Sequence, residues 1–236
     1  MTFRALSILA AASAAACAQA DVPARVDAGE ASDSSMVVGF ESEVPSDGRP
    51  VVVFLGTSLT AGMGLARDAD TYVARLDSIG VSEGLPFRAV NAGVSGETSA
   101  GGLRRVDWIL REPLDVLVVE LGANDGLRGQ DPDAMRANLI EVIRRTRARY
   151  PSVRILLAGM EAPPNMGAVY TASFRSVFTD VAASEEVTLI PFLLDGVAGV
   201  QDLNQTDRIH PSPEGHKRVA ENVWPWLRDV LKEIGS

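Results

Sequence analysis

Residues 51–191 hold five short, predominantly apolar runs, at 51–55, 87–90, 116–121, 153–158 and 187–191, with helical periodicity between them. Such alternation leaves few folds open. The first run, Val51, Val52, Val53, Phe54 and Leu55, is apolar without a break, the pattern of a strand covered on both faces in a parallel sheet. Parallel neighbours are joined by crossovers of a dozen or more residues, usually helical. The intervals supply them. Asp131 followed by Pro132 sets an N-cap and a proline at the first helical position, and Met135, Leu139, Val142, Ile143 and Thr146 then recur on one face. Ser212 and Pro213 open the last helix in the same way, with Val219, Val223, Leu227, Val230 and Ile234 facing inward. The pattern predicts one α/β domain over 51–236 with a doubly wound sheet of roughly five parallel strands.

The first fifty residues are of another kind. Arg4 is the only charge before residue 21, and Ala5 to Ala16 form an apolar, alanine-rich run. Ala18, Gln19 and Ala20 then offer a small-x-small cleavage site, so 1–20 reads as a secretory signal peptide. Ala14, Ala15, Ala16 and Cys17 resemble a bacterial lipobox, with Ala14 where leucine is usual. Two outcomes are open: lipidation of Cys17, the favoured one, or cleavage after Ala20, which discards the lone cysteine. Residues 21–50 hold seven acids and two bases, a net of −5, and few large apolar groups. They read as a disordered acidic tether. The expected location is exported, either periplasmic or anchored to the outer membrane as a lipoprotein.

Charge and composition remove several classes of function. Against 31 acids stand 22 bases, a net charge of −9, and such a field repels nucleic acid. One Cys and two His cannot build a Cys/His zinc site or a disulfide framework. After the N-terminus no apolar run approaches the roughly 18 residues of a membrane span.

In open parallel sheets ligands bind beyond the carboxyl ends of the strands. After the first run comes Gly56, Thr57, Ser58, Leu59 and Thr60. After the second comes the stretch 91–98, from Asn91 to Thr98 and including Gly93, Ser95 and Gly96; after the third come Gly122, Ala123, Asn124, Asp125 and Gly126. Before the last helix stand Asp207, Arg208, Ile209, His210 and Pro211. A serine, a glycine-rich turn, an amide side chain and an acid–histidine pair would thus meet at one end of the sheet, an inventory suited to acyl transfer through a serine.

With these four blocks in this order, at 56–62, 91–99, 122–125 and 207–211, the chain resembles the SGNH (GDSL-type) hydrolases, in their exported arylesterase, thioesterase and lysophospholipase branch. The resemblance spans residue 51 to the end. It implies a flavodoxin-like three-layer α/β/α sandwich and a serine esterase acting on small-molecule acyl esters. It further implies Ser58 as nucleophile, His210 as general base and Asp207 as the acid that fixes the imidazole. The oxyanion hole would be formed by the Ser58 and Gly96 backbone N–H groups and the Asn124 amide. Without the resemblance Ser58 reads as an N-cap and Asn124 as a turn residue. His216, early in the last helix, reads as a surface or partly buried residue.

Two departures stand out. The family's first block carries Asp before the serine, where this chain has Thr57; and Thr60 occupies the second glycine of the G-x-S-x-G elbow of α/β-hydrolases. Neither a dinucleotide fingerprint nor a P-loop occurs, so no cofactor is inferred, and no metal. The stretch 159–170, with Pro163, Pro164, Met166 and Gly167, is the expected determinant of acyl-group choice. Other readings of the chain are a polysaccharide O-deacetylase of the same fold and a non-catalytic flavodoxin-like binding lipoprotein.

Overall fold

The structure is a computed structural model that describes residues 47–235. The signal-peptide and lipobox readings, and the tether up to residue 46, lie outside the described residues. Five strands, β1 (Val51–Gly56), β2 (Arg88–Gly93), β3 (Val116–Glu120), β4 (Arg154–Ala158) and β5 (Thr188–Ile190), form one parallel sheet in the order β2-β1-β3-β4-β5. This is the flavodoxin-like order, in which the chain steps outward in both directions from β1 and leaves a crevice between β1 and β3.

The helices cover both faces, as crossovers between parallel strands must. One layer packs α3 (Ser99–Ile109), α5 (Pro132–Arg149) and α6 (Ala168–Ser184) side by side; on the other, α2 (Tyr72–Ser82) packs on α7 (Pro213–Ile234). Two short helices, α1 (Ser58–Ala61) and α4 (Ala123–Leu127), follow β1 and β3. The two caps read from the sequence are in place, Asp131 accepting from the Asp133 N–H and Ser212 from the Gly215 N–H, each with proline at the next position. Thr71 and Thr98 cap α2 and α3 likewise.

Burial follows the strand pattern. Val52, Phe54, Leu55 and all of Val116 to Val119 are fully buried, as expected of central strands with helices on both faces. The second strand runs three residues past the expected 87–90, because Asn91, Ala92 and Gly93 pair in register with Phe54, Leu55 and Gly56 of β1. Backbone pairing to an established neighbour overrides the poor strand propensity of Asn and Gly.

His216 departs from its reading as a surface or partly buried residue: it is 1% exposed. Its Nδ1 accepts the Tyr72 backbone N–H at 3.2 Å, and its ring stacks on that of Tyr72 with centroids 6.2 Å apart. The imidazole therefore ties the start of α7 to the start of α2. Burial, reinforced by nearby Arg75, pushes it down to about 4. A histidine that stays neutral in the fold but protonates when unfolded costs stability as pH falls from about 6.5 to about 4. Wild type should lose up to about 3 kcal/mol across that window through this residue. His216→Asn, whose amide oxygen can still accept from Tyr72, should lack that increment. Urea denaturation of both proteins between pH 4.5 and 7.5 measures the difference, and parallel curves would contradict it.

Candidate active site

Thr57 and Ser58 divide two tasks at the end of β1. Thr57 has extended backbone and takes the N-cap of α1, its hydroxyl accepting from the Leu59 N–H. Ser58 is consequently the first helical residue and not the cap. Its Oγ is free to face the loop before α7, and lies 2.9 Å from Nε2 of His210.

That loop is folded on itself. Asn204 and Pro211 form an antiparallel bridge, the Gln205 N–H donates to the His210 carbonyl, and the Arg208 N–H donates to the Gln205 carbonyl. Closing the turn puts Arg208 at a φ of 61°, a left-handed conformation uncommon for a side chain of this size. Within it Asp207 Oδ1 accepts from the Ile209 and His210 N–H groups at 2.9 and 3.0 Å, and Oδ2 lies 2.6 Å from His210 Nδ1. These bonds, the imidazole first, hold the Asp207 carboxyl down to about 2. An ionised carboxylate only accepts, so Nδ1 carries the proton and Nε2 presents its lone pair to the Ser58 hydroxyl.

Gly96 and Asn124 arrive from the neighbouring strands. Gly96 has φ +78°, and a Cβ there would meet only Arg128, at 3.7 Å. Its glycine is thus required by left-handed backbone and not by crowding within the protein. One N–H of the Asn124 amide donates to the Glu97 carbonyl at 2.9 Å. Among the described residues neither the Ser58 nor the Gly96 N–H donates an intramolecular hydrogen bond.

Side chains given no part in the sequence reading hold these loops. Arg105 donates to both carboxylate oxygens of Glu97 and to the carbonyls of Ala92 and Gly56, so it joins the 94–98 loop to the ends of β1 and β2. Asp125, 1% exposed, accepts from the Ser99 N–H and hydroxyl, and Asn138 donates to that same hydroxyl. Glu120, with no exposure at all, lies under the Ser58 turn. An Asp or Glu embedded in an apolar strand run was the available signal for it. Among the described residues no three His, Cys, Asp or Glu side chains gather as metal ligands would.

A cleft of about 640 Å³ opens from Ser58, His210, Gly96 and Asn124, walled mainly by apolar side chains such as Met160, Pro163, Phe192 and Leu194. Of the stretch 159–170, residues 160–164 line it. Met166 instead packs toward Gly129, and Tyr170 donates to the Gln130 carbonyl.

Comparison with known proteins agrees with this geometry. The GDSL-like Lipase/Acylhydrolase family profile matches residues 54–218. Esterase TesA of Pseudomonas aeruginosa is 43% identical over 181 residues, 76% of this chain and 89% of that one. Thioesterase 1/protease 1/lysophospholipase L1 of Escherichia coli K12 is 33% identical over 185 residues, 78% of this chain and 84% of that one. The crystal structure of AlinE4, an SGNH-hydrolase family esterase, superposes with a TM-score of 0.64 at 36% identity, covering 78% of this chain and 97% of that one. Its sheet order, the four loops at the ends of the strands and these matches place the chain in the GDSL-like lipase/acylhydrolase family, among the SGNH esterases.

Proposed function

We propose that this carboxylic-ester hydrolase cleaves esters of acyl chains, aryl esters and lysophospholipids among them, and thioesters of the same chains, through an acyl-enzyme on Ser58. The observation that carries the reading is the hydrogen-bonded row Ser58–His210–Asp207 at the mouth of an apolar cleft. His210 Nε2 takes the hydroxyl proton as Ser58 Oγ attacks the carbonyl carbon, and returns it to the leaving alcohol or thiol oxygen or sulfur. Asp207 holds the tautomer this requires and stabilises the imidazolium. Water then attacks the acyl-enzyme, with His210 again as base, and releases the carboxylic acid.

The oxyanion of each tetrahedral intermediate needs preorganised donors. The Ser58 and Gly96 N–H groups and the second N–H of Asn124 suit this role, being free of other intramolecular partners. The acyl chain would lie along Met160, Pro163, Phe192 and Leu194. Here the names of the relatives, an esterase and a thioesterase/lysophospholipase, support the substrate class. The leader-like pattern of residues 1–20 supports export, and the lipobox-like Cys17 supports a lipid anchor.

Ser58→Ala should abolish hydrolysis of p-nitrophenyl esters while circular dichroism stays unchanged; a folded, active variant would overturn the nucleophile assignment. Asn124→Ala should lower kcat by about 10²–10³-fold, with a change confined to KM contradicting the oxyanion role. Activity should rise with pH to a plateau, because the general base must be neutral to accept the Ser58 proton, while Asp207, held to about 2, stays ionised throughout. Asp207→Asn should cost about 10⁴-fold in kcat by favouring the wrong tautomer. A p-nitrophenyl series from acetate to palmitate, beside a lysophospholipid and an acyl-thioester, reads out the substrate range, and indifference to all of them would refute the acyl-ester reading.

A further inference from the structure

The Ser58 turn rests on a carboxylate that takes no part in the chemistry above. Glu120 Oε2 accepts from the Thr57 N–H at 2.8 Å, the Thr60 N–H at 3.3 Å and the Thr60 hydroxyl at 2.8 Å. The Thr57 hydroxyl lies 3.0 and 3.1 Å from its two oxygens. The N–H groups on either side of Ser58 would otherwise be orphan donors of a helix N-terminus buried under the sheet end. A carboxylate rising from β3 satisfies both. The approach is close enough that a Cβ at Gly56 would sit 2.6 Å from Glu120 Oε2 and 2.0 Å from Thr60 Oγ1, so glycine is obligatory there.

We propose that Glu120 and Thr57 form a positioning pair that fixes the Ser58 turn, and that a threonine at 57 lets this pair work without a shared proton. The proposal rests on Ser58 as the nucleophile. With threonine at 57 the neighbour of Glu120 is a hydroxyl donor. With aspartate there, two carboxylates would face each other at hydrogen-bonding distance, and such a pair keeps one proton between them or repels.

The other titratable and charged groups packed around Glu120 are Tyr72, His216 and Arg105. Tyr72, whose hydroxyl is 2.8 Å from Thr60 Oγ1, is pushed up by burial and by Glu120 itself. His216, stacked on Tyr72, is pushed down to about 4. Arg105, which reaches the Gly56 carbonyl, is paired with Glu97. Burial pushes Glu120 up to about 7, against the pull of the four Thr57 and Thr60 donors. A carboxamide can keep the Oε2 acceptor position and turn its NH₂ toward Thr57 Oγ1, so the arrangement tolerates Gln but not an apolar side chain.

The test is steady-state kinetics on a p-nitrophenyl ester from pH 6 to 9.5, with thermal melts of each variant. Glu120→Leu should lower kcat by about 100-fold, the effect of an ångström-scale misplacement of the nucleophile, with KM within about threefold; Glu120→Gln should restore kcat to within about fivefold of wild type. Thr57→Asp should match wild type near pH 6.5 and lose at least about tenfold in kcat by pH 9, where wild type stays level, since the pair then sheds its shared proton. Thr57→Asp with Glu120→Gln should regain the alkaline plateau, because the amide donates to the new carboxylate. A level Thr57→Asp profile, a double variant that stays bell-shaped, or a folded Glu120→Leu with wild-type kcat would each overturn the proposal. If Glu120→Leu does not fold, the Thr57 series decides alone. An inactive Ser58→Ala beside such results rejects the positioning pair only, whereas an active Ser58→Ala rejects the nucleophile on which it rests.

Discussion

The parallel pairing of β1 with β2 on one side and β3 on the other sets the geometry of everything else. Because both neighbours run the same way, the ends of all three strands fall at one edge of the sheet, the chain crossing first from β1 to β2 on one side and then past β1 to β3 on the other. The loops carrying Ser58, Gly96 and Asn124 are the continuations of those three adjacent strands. Strand spacing of about 4.8 Å then brings Ser58, Gly96 and Asn124 to neighbouring positions lining one cleft. A serine esterase needs that convergence, and the register of a sheet provides it without long loops.

Beneath this edge lies a layer of buried polar groups, each with partners. Glu120 accepts from Thr57 and Thr60, Asp125 from Ser99, and Glu97 from Arg105. Among the described residues no buried side-chain nitrogen or oxygen lacks a hydrogen bond. Buried carboxylates are costly unless fully satisfied, and fully satisfied they hold their neighbours rigidly. Each of the three fastens one of the loops that carry the site: Glu120 the Ser58 turn, Glu97 the glycine turn, Asp125 the helix that bears Asn124. The shell is therefore polar where the chemistry needs fixed geometry, while the acyl side of the cleft is apolar.

The fold was legible because parallel strands covered on both faces must be continuous apolar runs, and because Asp131 and Ser212, each followed by proline, announce helix starts. Ser58, Gly96 and Asn124 at strand ends, and Asp207 and His210 before the last helix, were legible as residue types once the four blocks were read together; Ser58, Gly96, Asn124 and His210 line one cleft, and Asp207 is bonded to His210. Glu120 left only a faint signal, a single acid within an apolar strand run, whose meaning is plain once its partners Thr57 and Thr60 are seen. His216 was misjudged for a related reason. Helical periodicity assigns a face, but the Tyr72 N–H that satisfies the imidazole comes from an element 144 residues away. The extension of β2 through Asn91 and Gly93 was hidden too, because pairing is a property of the neighbour and not of those residues.

The site is held by two kinds of support. Ser58, Gly96 and Asn124 follow strands of the sheet, whereas Asp207 and His210 sit on a surface turn whose residues 206–209 are exposed. That turn is moored by the Asn204–Pro211 bridge, by Asn204 on the Val197 and Val200 carbonyls, and by Gln205 on the Met63 carbonyl. Ile209, its one large apolar side chain, is exposed, and exposed segments of this sort open locally at a small fraction of the free energy that unfolds a whole domain. On warming, Asp207 and His210 would swing away together while the sheet persists. Loss of activity on heating would then begin with the detachment of this one turn, before the sheet itself melts.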